Sequence, residues 1–154
     1  MRITRRLEFD AGHRIPHHDN RCRHLHGHRY AIELTISGDM VATEGSSEQA
    51  MVADFLDIKA LLQKHVVDQW DHAFLVYVGD AQVLAFLNSL PGHRTVTFTA
   101  PPTAEHLAAT AFRILRQACA TLYGARVKVE RVRIYETPNC WADAGPEDGA
   151  AARA

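Results

Sequence analysis

The chain has 154 residues, 47% hydrophobic and 23% charged, with a formal net charge of -1. That length suits one domain with its own core, and the near-neutral balance excludes a global pull toward nucleic acid or an anionic membrane surface. No apolar run approaches the roughly 20 residues of a membrane helix, and MRITRRLEFD lacks the apolar stretch of a signal peptide, so the expected location is cytoplasmic.

Taken in chain order, residues 2–10 alternate, with Ile3, Leu7 and Phe9 on one face and Arg5 interrupting the set, and read as a strand. A Pro/Asp/Asn-containing loop with several histidines follows. Residues 26–37 alternate more cleanly: His26, His28, Tyr30, Ile32, Leu34 and Ile36 share one face, and Gly38-Asp39 ends the strand. Asp54 caps a helix to about Val67 with Phe55, Ile58, Leu62 and Val66 as its stripe. Asp80 caps a shorter helix that stops by Pro91-Gly92, and TVTFT (95–99) is a short extra strand. Pro101-Pro102-Thr103 opens a helix whose face is Leu107, Ala111, Leu115, Ala118 and Leu122, closed by Gly124.

In the last strand, 126–136, Val127 and Val129 lie on odd positions, Val132 and Ile134 on even ones. A bulge near Glu130-Arg131 keeps both sets on one face. Glu136 follows on that face, where a carboxylate needs a partner. The expected class is α+β: a four-stranded antiparallel sheet with two main helices on one face, one domain over 1–142, and a disordered small-residue tail over 143–154. Open sheet edges predict oligomerisation.

Ten histidines is the unusual count, and His26-Gly27-His28 is its centre. Histidines at i and i+2 of a strand point to one face and can share one ion. Gly27 faces away and permits close backbone approach. His13, at the end of the first strand, completes three imidazoles, a ligand set that leaves a catalytic zinc one open position. His17, His18 and His24 compete as ligands or are simply solvated. Cys22, flanked by Arg21 and Arg23 and near a cation, is expected to have a depressed pKa and to act as base or nucleophile, or else to ligate the metal. Cys119 belongs to the core. The three cysteines form no disulfide framework, which fits a reduced compartment. Asp71-His72 is a pair able to shuttle a proton.

FDAGH (9–13), CRHLHGH (22–28), ADFLDIK (53–59), WDHAFL (70–75), PTAEHLA (102–108) and YETP (135–138) together resemble the 6-pyruvoyl-tetrahydropterin synthase family, in particular its bacterial carboxytetrahydropterin branch. The resemblance implies a T-fold (tunnelling fold) whose subunits close an oligomeric barrel, a homohexamer built as a dimer of trimers, with active sites between subunits. It implies Zn2+ on His13, His26 and His28, with Cys22, Asp71 and His72 catalytic. Glu136, Thr103, Ala104 and Glu105 would bind a pterin substrate, 7,8-dihydroneopterin triphosphate. Three residues between Cys22 and His26 favour the carboxy branch of queuosine biosynthesis, a lyase that releases acetaldehyde and triphosphate. The alternatives are triphosphate elimination alone, giving the 6-pyruvoyl product, and a non-catalytic metal-binding oligomeric scaffold. Trp70, where leucine is usual, and a longer stretch between Leu75 and Pro102 depart from the pattern.

Overall fold

Two long strands carry the site. In the computed structural model, which describes residues 1–148, β1 (Arg2–His13) and β2 (His26–Gly38) run antiparallel in unbroken register, from Arg2 opposite Ser37 to His13 opposite His26. The alternation read from the sequence sets their faces. Phe9, Ala11 and His13 of β1 meet Tyr30, His28 and His26 of β2 on the side covered by the main helices. Arg5 sits on that same face, half-buried, at its less covered end.

The sheet order is β4-β3-β1-β2-β5-β6. Of the four strands expected, the three long ones are β1, β2 and β5 (Val127–Thr137), antiparallel neighbours in that order, and an unexpected β6 (Cys140–Ala144) extends them antiparallel. With β6, an unexpected β3 (Ala73–Tyr77) corrects the count to six and makes the sheet mixed: β3 runs parallel to the last three residues of β1, and the expected short strand, β4 (Thr95–Phe98), runs parallel to β3 and not antiparallel. Parallel neighbours need a crossover, and α3 (Ala81–Asn88) supplies it, capped by Asp80 as expected. The run AFLVY is too short for periodicity to distinguish strand from helix, so β3 was not expected.

α1 (Phe55–Leu62) begins where Asp54 accepts the Leu56 N–H at 2.7 Å. It does not stop near Val67. A wider π turn over Gln63–Val67 leads into α2 (Asp68–Trp70), which buries Trp70 and delivers Asp71 beside β1. α4 (Ala104–Tyr123) starts at Thr103, whose hydroxyl accepts the His106 N–H, and ends at Gly124 with φ 60°. Its stripe of Leu107, Ala111, Phe112 and Leu115 is fully buried, worth about 1.5–3 kcal/mol for each large side chain. Cys119 joins it, and burial pushes its thiol up to about 11, which leaves it an inert core residue. α1 and α4 cover one face of the sheet. α3 packs on Phe74 and Val76, which point the other way, so the third helix lies on the opposite face.

The expected bulge is present: Thr35 faces Arg131 and Ile36 faces Val129, so Glu130 is the extra residue and both valine sets stay buried. The boundary expected at 142 falls inside β6. Ala144 is buried, and Asp143 takes both oxygens to Arg133 at 2.6 and 2.7 Å. Residues 149–154 of the expected tail lie outside the described residues. Among the described residues no helix is long and apolar enough to cross a membrane.

Candidate metal centre and adjoining cavity

His13, His26 and His28 converge, with one ring nitrogen from each lying within 4.8 Å of the others. Cross-strand register does this: His13 is directly opposite His26, and His28 is next along the same face. Gly27 permits the spacing. A Cβ there would lie 2.8 Å from the Ala11 carbonyl oxygen, closer than side chains tolerate.

The proton positions follow from the partners. His13 Nδ1 is 2.9 Å from the Pro102 carbonyl oxygen, and His26 Nδ1 is 2.8 Å from that of His24. A carbonyl only accepts, so each Nδ1 carries the hydrogen and each Nε2 presents a lone pair. Those two Nε2 atoms face each other at 3.1 Å. Two lone pairs at that distance repel unless a cation lies against both. His28 Nε2 is buried without a hydrogen-bond partner, 3.7 Å from Glu136 Oε1. Burial lowers the pKa of both His13 and His28, which keeps them neutral and able to ligate at neutral pH. The donor set, two oriented imidazoles and one unpartnered, fits a zinc-type ion. His17, His18 and His24 are outside this group.

A cavity of about 300 Å³ adjoins it, lined by His13, Cys22, Thr103, Ala104, Glu105 and Glu136, with His18 and Cys140 also on its wall. Residues from four parts of the chain thus meet at one place. The loop after β1 folds back to bring Cys22 in: the Ile15 N–H donates to the Cys22 carbonyl at 2.8 Å, and Arg21–Arg23 forms a 3₁₀ turn. At its root Arg14 grips Asp80 through two bonds of 2.5 and 2.7 Å. Thr103 to Glu105, at the start of α4, line this cavity.

Asp71 and His72 are not part of that cavity. Asp71 Oδ1 accepts the Asp10 N–H at 2.9 Å, its Oδ2 is 2.9 Å from His72 Nδ1, and the His72 N–H donates to the Asp10 carbonyl at 2.7 Å. Burial pushes the Asp71 carboxyl up, but the Asp10 N–H and the imidazole outweigh it and the net shift is down. His72 has φ 54°, an uncommon conformation for a side-chain-bearing residue, and its ring is 77% exposed. It lines a separate open groove of about 700 Å³ with Gly12, Gly27 and Phe74. The orienting carbonyls of Pro102 and His24, and the Arg14–Asp80 pair, escaped the sequence reading. Backbone acceptors leave no residue-type signal, and an arginine 66 positions from its partner leaves none either.

The sequence matches the family model described as 6-pyruvoyl tetrahydropterin synthase over residues 2–147. It is 35% identical over 144 residues to a 6-carboxy-5,6,7,8-tetrahydropterin synthase of Rickettsia bellii, covering 93% of this chain and 99% of that protein. Its fold is similar to an uncharacterized protein of Wolinella succinogenes, with TM-score 0.76 and 21% identity over 95% of this chain and 98% of that one. It is also similar to a 6-pyruvoyltetrahydropterin synthase of Plasmodium vivax, solved as a variant with cysteine in place of a catalytic glutamate. There the TM-score is 0.67 and the identity 22%, over 94% of this chain and 97% of that one. Match to the family model over nearly the whole chain, together with the relative's identity and coverage, shows that the chain belongs to the 6-pyruvoyl tetrahydropterin synthase family.

Proposed function

We propose that this enzyme is a zinc-dependent lyase converting 7,8-dihydroneopterin triphosphate to 6-carboxy-5,6,7,8-tetrahydropterin, with release of acetaldehyde and triphosphate, in the cytoplasmic route to queuosine. The observation that carries the reading is the meeting of Cys22 and Glu136, distant in sequence, with His13 on the wall of one cavity. The name of the Rickettsia relative supports the carboxy product. So does a cysteine separated by three residues from the His-Gly-His run; the Plasmodium neighbour is described by a catalytic glutamate instead.

His13, His26 and His28 would hold the zinc, which when bound supplies Lewis-acid chemistry toward hydroxyls of the substrate side chain. Glu136 receives the pterin's amino and ring N–H groups, a two-point fit for a carboxylate. Thr103, Ala104 and Glu105 border that ring at the start of α4. Cys22, as thiolate, takes the proton from the side chain. Asp71 holds the proton of His72 on Nδ1 and leaves Nε2 free to accept or return one.

Because His72 projects from a different face, the site is completed by a second copy that brings Asp71 and His72 to Cys22. Unpaired edges along β6 and the N-terminal part of β1 support closure of such a barrel, as a trimer and then a hexamer. Nucleic acid and membrane are not partners in this reading.

The test is incubation of the zinc-loaded protein with 7,8-dihydroneopterin triphosphate, read by mass spectrometry, with Cys22→Ala in parallel. The expected products are 6-carboxytetrahydropterin and acetaldehyde, dependent on Cys22. Triphosphate loss without acetaldehyde would favour the 6-pyruvoyl product; no turnover with zinc bound would favour a metal-binding scaffold.

A further inference from the structure

Tyr30 buries a hydroxyl with nothing to bond. The residue is fully buried, and its phenolic oxygen has no hydrogen-bond partner among the described residues. Leaving such a group unpaired costs about 1–3 kcal/mol. Phenylalanine would fill the same space without that cost and would keep the stacking of this ring on Phe9, at 5.2 Å and 12° between planes. Packing alone therefore argues against the hydroxyl. Tyr123 also has an unpartnered hydroxyl, but it lies at the end of α4 on a residue that is only half-buried.

The ring's position supplies a reason. Register places Phe9 opposite Tyr30, Ala11 opposite His28 and His13 opposite His26. Four steps of strand, at about 3.3 Å each, separate the level of Tyr30 from that of His13. Yet the Tyr30 ring centroid is only 5.8 Å from that of His13 and 5.6 Å from that of His28, edge-on to both. The ring leans along the sheet, over the small Ala11, toward the three histidines. A phenol carries its hydrogen at neutral pH, so the group is a donor.

We propose that the Tyr30 hydroxyl donates a hydrogen bond to an oxygen of the ligand seated at the three-histidine centre, and that Tyr30 is a further catalytic residue of this site. For the pterin, this rests on the function proposed above: the oxygen is a side-chain hydroxyl that gains charge as its proton leaves. A donor waiting unpaired in a dry site strengthens as that charge develops.

Tyr30→Phe tests this, because it removes the oxygen and keeps the ring. Two readouts separate the inference from the substrate assignment. The first is acetohydroxamate binding to the cobalt(II)-loaded protein, followed by its visible spectrum. The variant is expected to bind about tenfold more weakly, with cobalt content and thermal midpoint no lower than native. The second is turnover of 7,8-dihydroneopterin triphosphate, where kcat is expected to fall about tenfold with KM little changed. Equal hydroxamate affinity and equal kcat would overturn the proposal, as would a variant that loses metal and stability together. If the native protein leaves the pterin untouched while the hydroxamate difference persists, Tyr30 stands and the substrate assignment falls.

Discussion

Asp71 and His72 are joined Oδ2 to Nδ1 at 2.9 Å, and the backbone of Asp10 holds both in place. The bracket fixes a strained turn at His72 and sets which imidazole nitrogen faces outward. Asp71→Asn keeps an acceptor for the Asp10 N–H but no longer holds the imidazole hydrogen on Nδ1. The expected result is a loss of kcat of about a hundredfold or more with the thermal midpoint little changed. A variant with native kcat would remove Asp71 and His72 from the proton path.

The Nε2 atoms of His13 and His26, facing at 3.1 Å, predict how the protein responds to metal. Zinc added to the metal-free protein is expected to raise its thermal midpoint, since the ion binds only the folded arrangement. His26→Ala is expected to abolish that rise and to leave less than about a tenth of native zinc by elemental analysis. Retention of stoichiometric zinc would show that other groups hold it.

Arg14 and Asp80 tie the root of the Cys22 loop to the start of α3, and the Asp80 side chain is 3% exposed. Arg14→Met strands that carboxylate and is expected to cost about 3 kcal/mol in urea unfolding at pH 7. Adding Asp80→Asn is expected to recover part of it. The pH dependence has a definite sign. The Arg14 guanidinium holds the Asp80 carboxyl below its ordinary value, so its contribution is present above the unfolded carboxyl pKa of about 4 and is lost as pH falls through the lower folded value. The difference between native and Arg14→Met stability should therefore be full at pH 7 and shrink below about pH 4. A difference that does not change with pH would rule out the ion pair as its source.

Gly27 tests the strand spacing behind the metal centre. A Cβ at this position meets the Ala11 carbonyl oxygen at 2.8 Å and the Gly12 Cα at 3.4 Å, both backbone atoms. Gly27→Ala must push β1 from β2 where His13 faces His26. The expected cost is about 1–3 kcal/mol of stability, with zinc affinity weakened at least tenfold by competition with a chelator. Native zinc affinity in this variant would show that the centre tolerates a wider strand pair.

Periodicity made much of this protein legible. The alternation of residues 26–37 puts His26, His28 and Tyr30 on one face, because side chains on a strand alternate by geometry alone. The phase slip in 127–134 located the Glu130 bulge for the same reason. Asp54, Asp80 and Thr103 announced helix starts through capping chemistry that acts within three residues. The family blocks named the site residues, and six of them line one cavity.

What the tertiary structure decided are relations with no local cause. AFLVY becomes a parallel strand only because β1 offers it an edge and α3 can cross over. Pro102 and His24 orient two imidazoles through carbonyls that every residue possesses. Asp71 and His72 stand apart from Cys22 because the backbone of Asp10 holds their turn against β1, where His72 lines the open groove and not the cavity. The sequence by itself determined which side chains share a face, since that depends on backbone repeat. Which faces meet, and which polar atom is left without a partner, depended on long-range packing, where the free energy is shared among many contacts and no single residue type carries the signal.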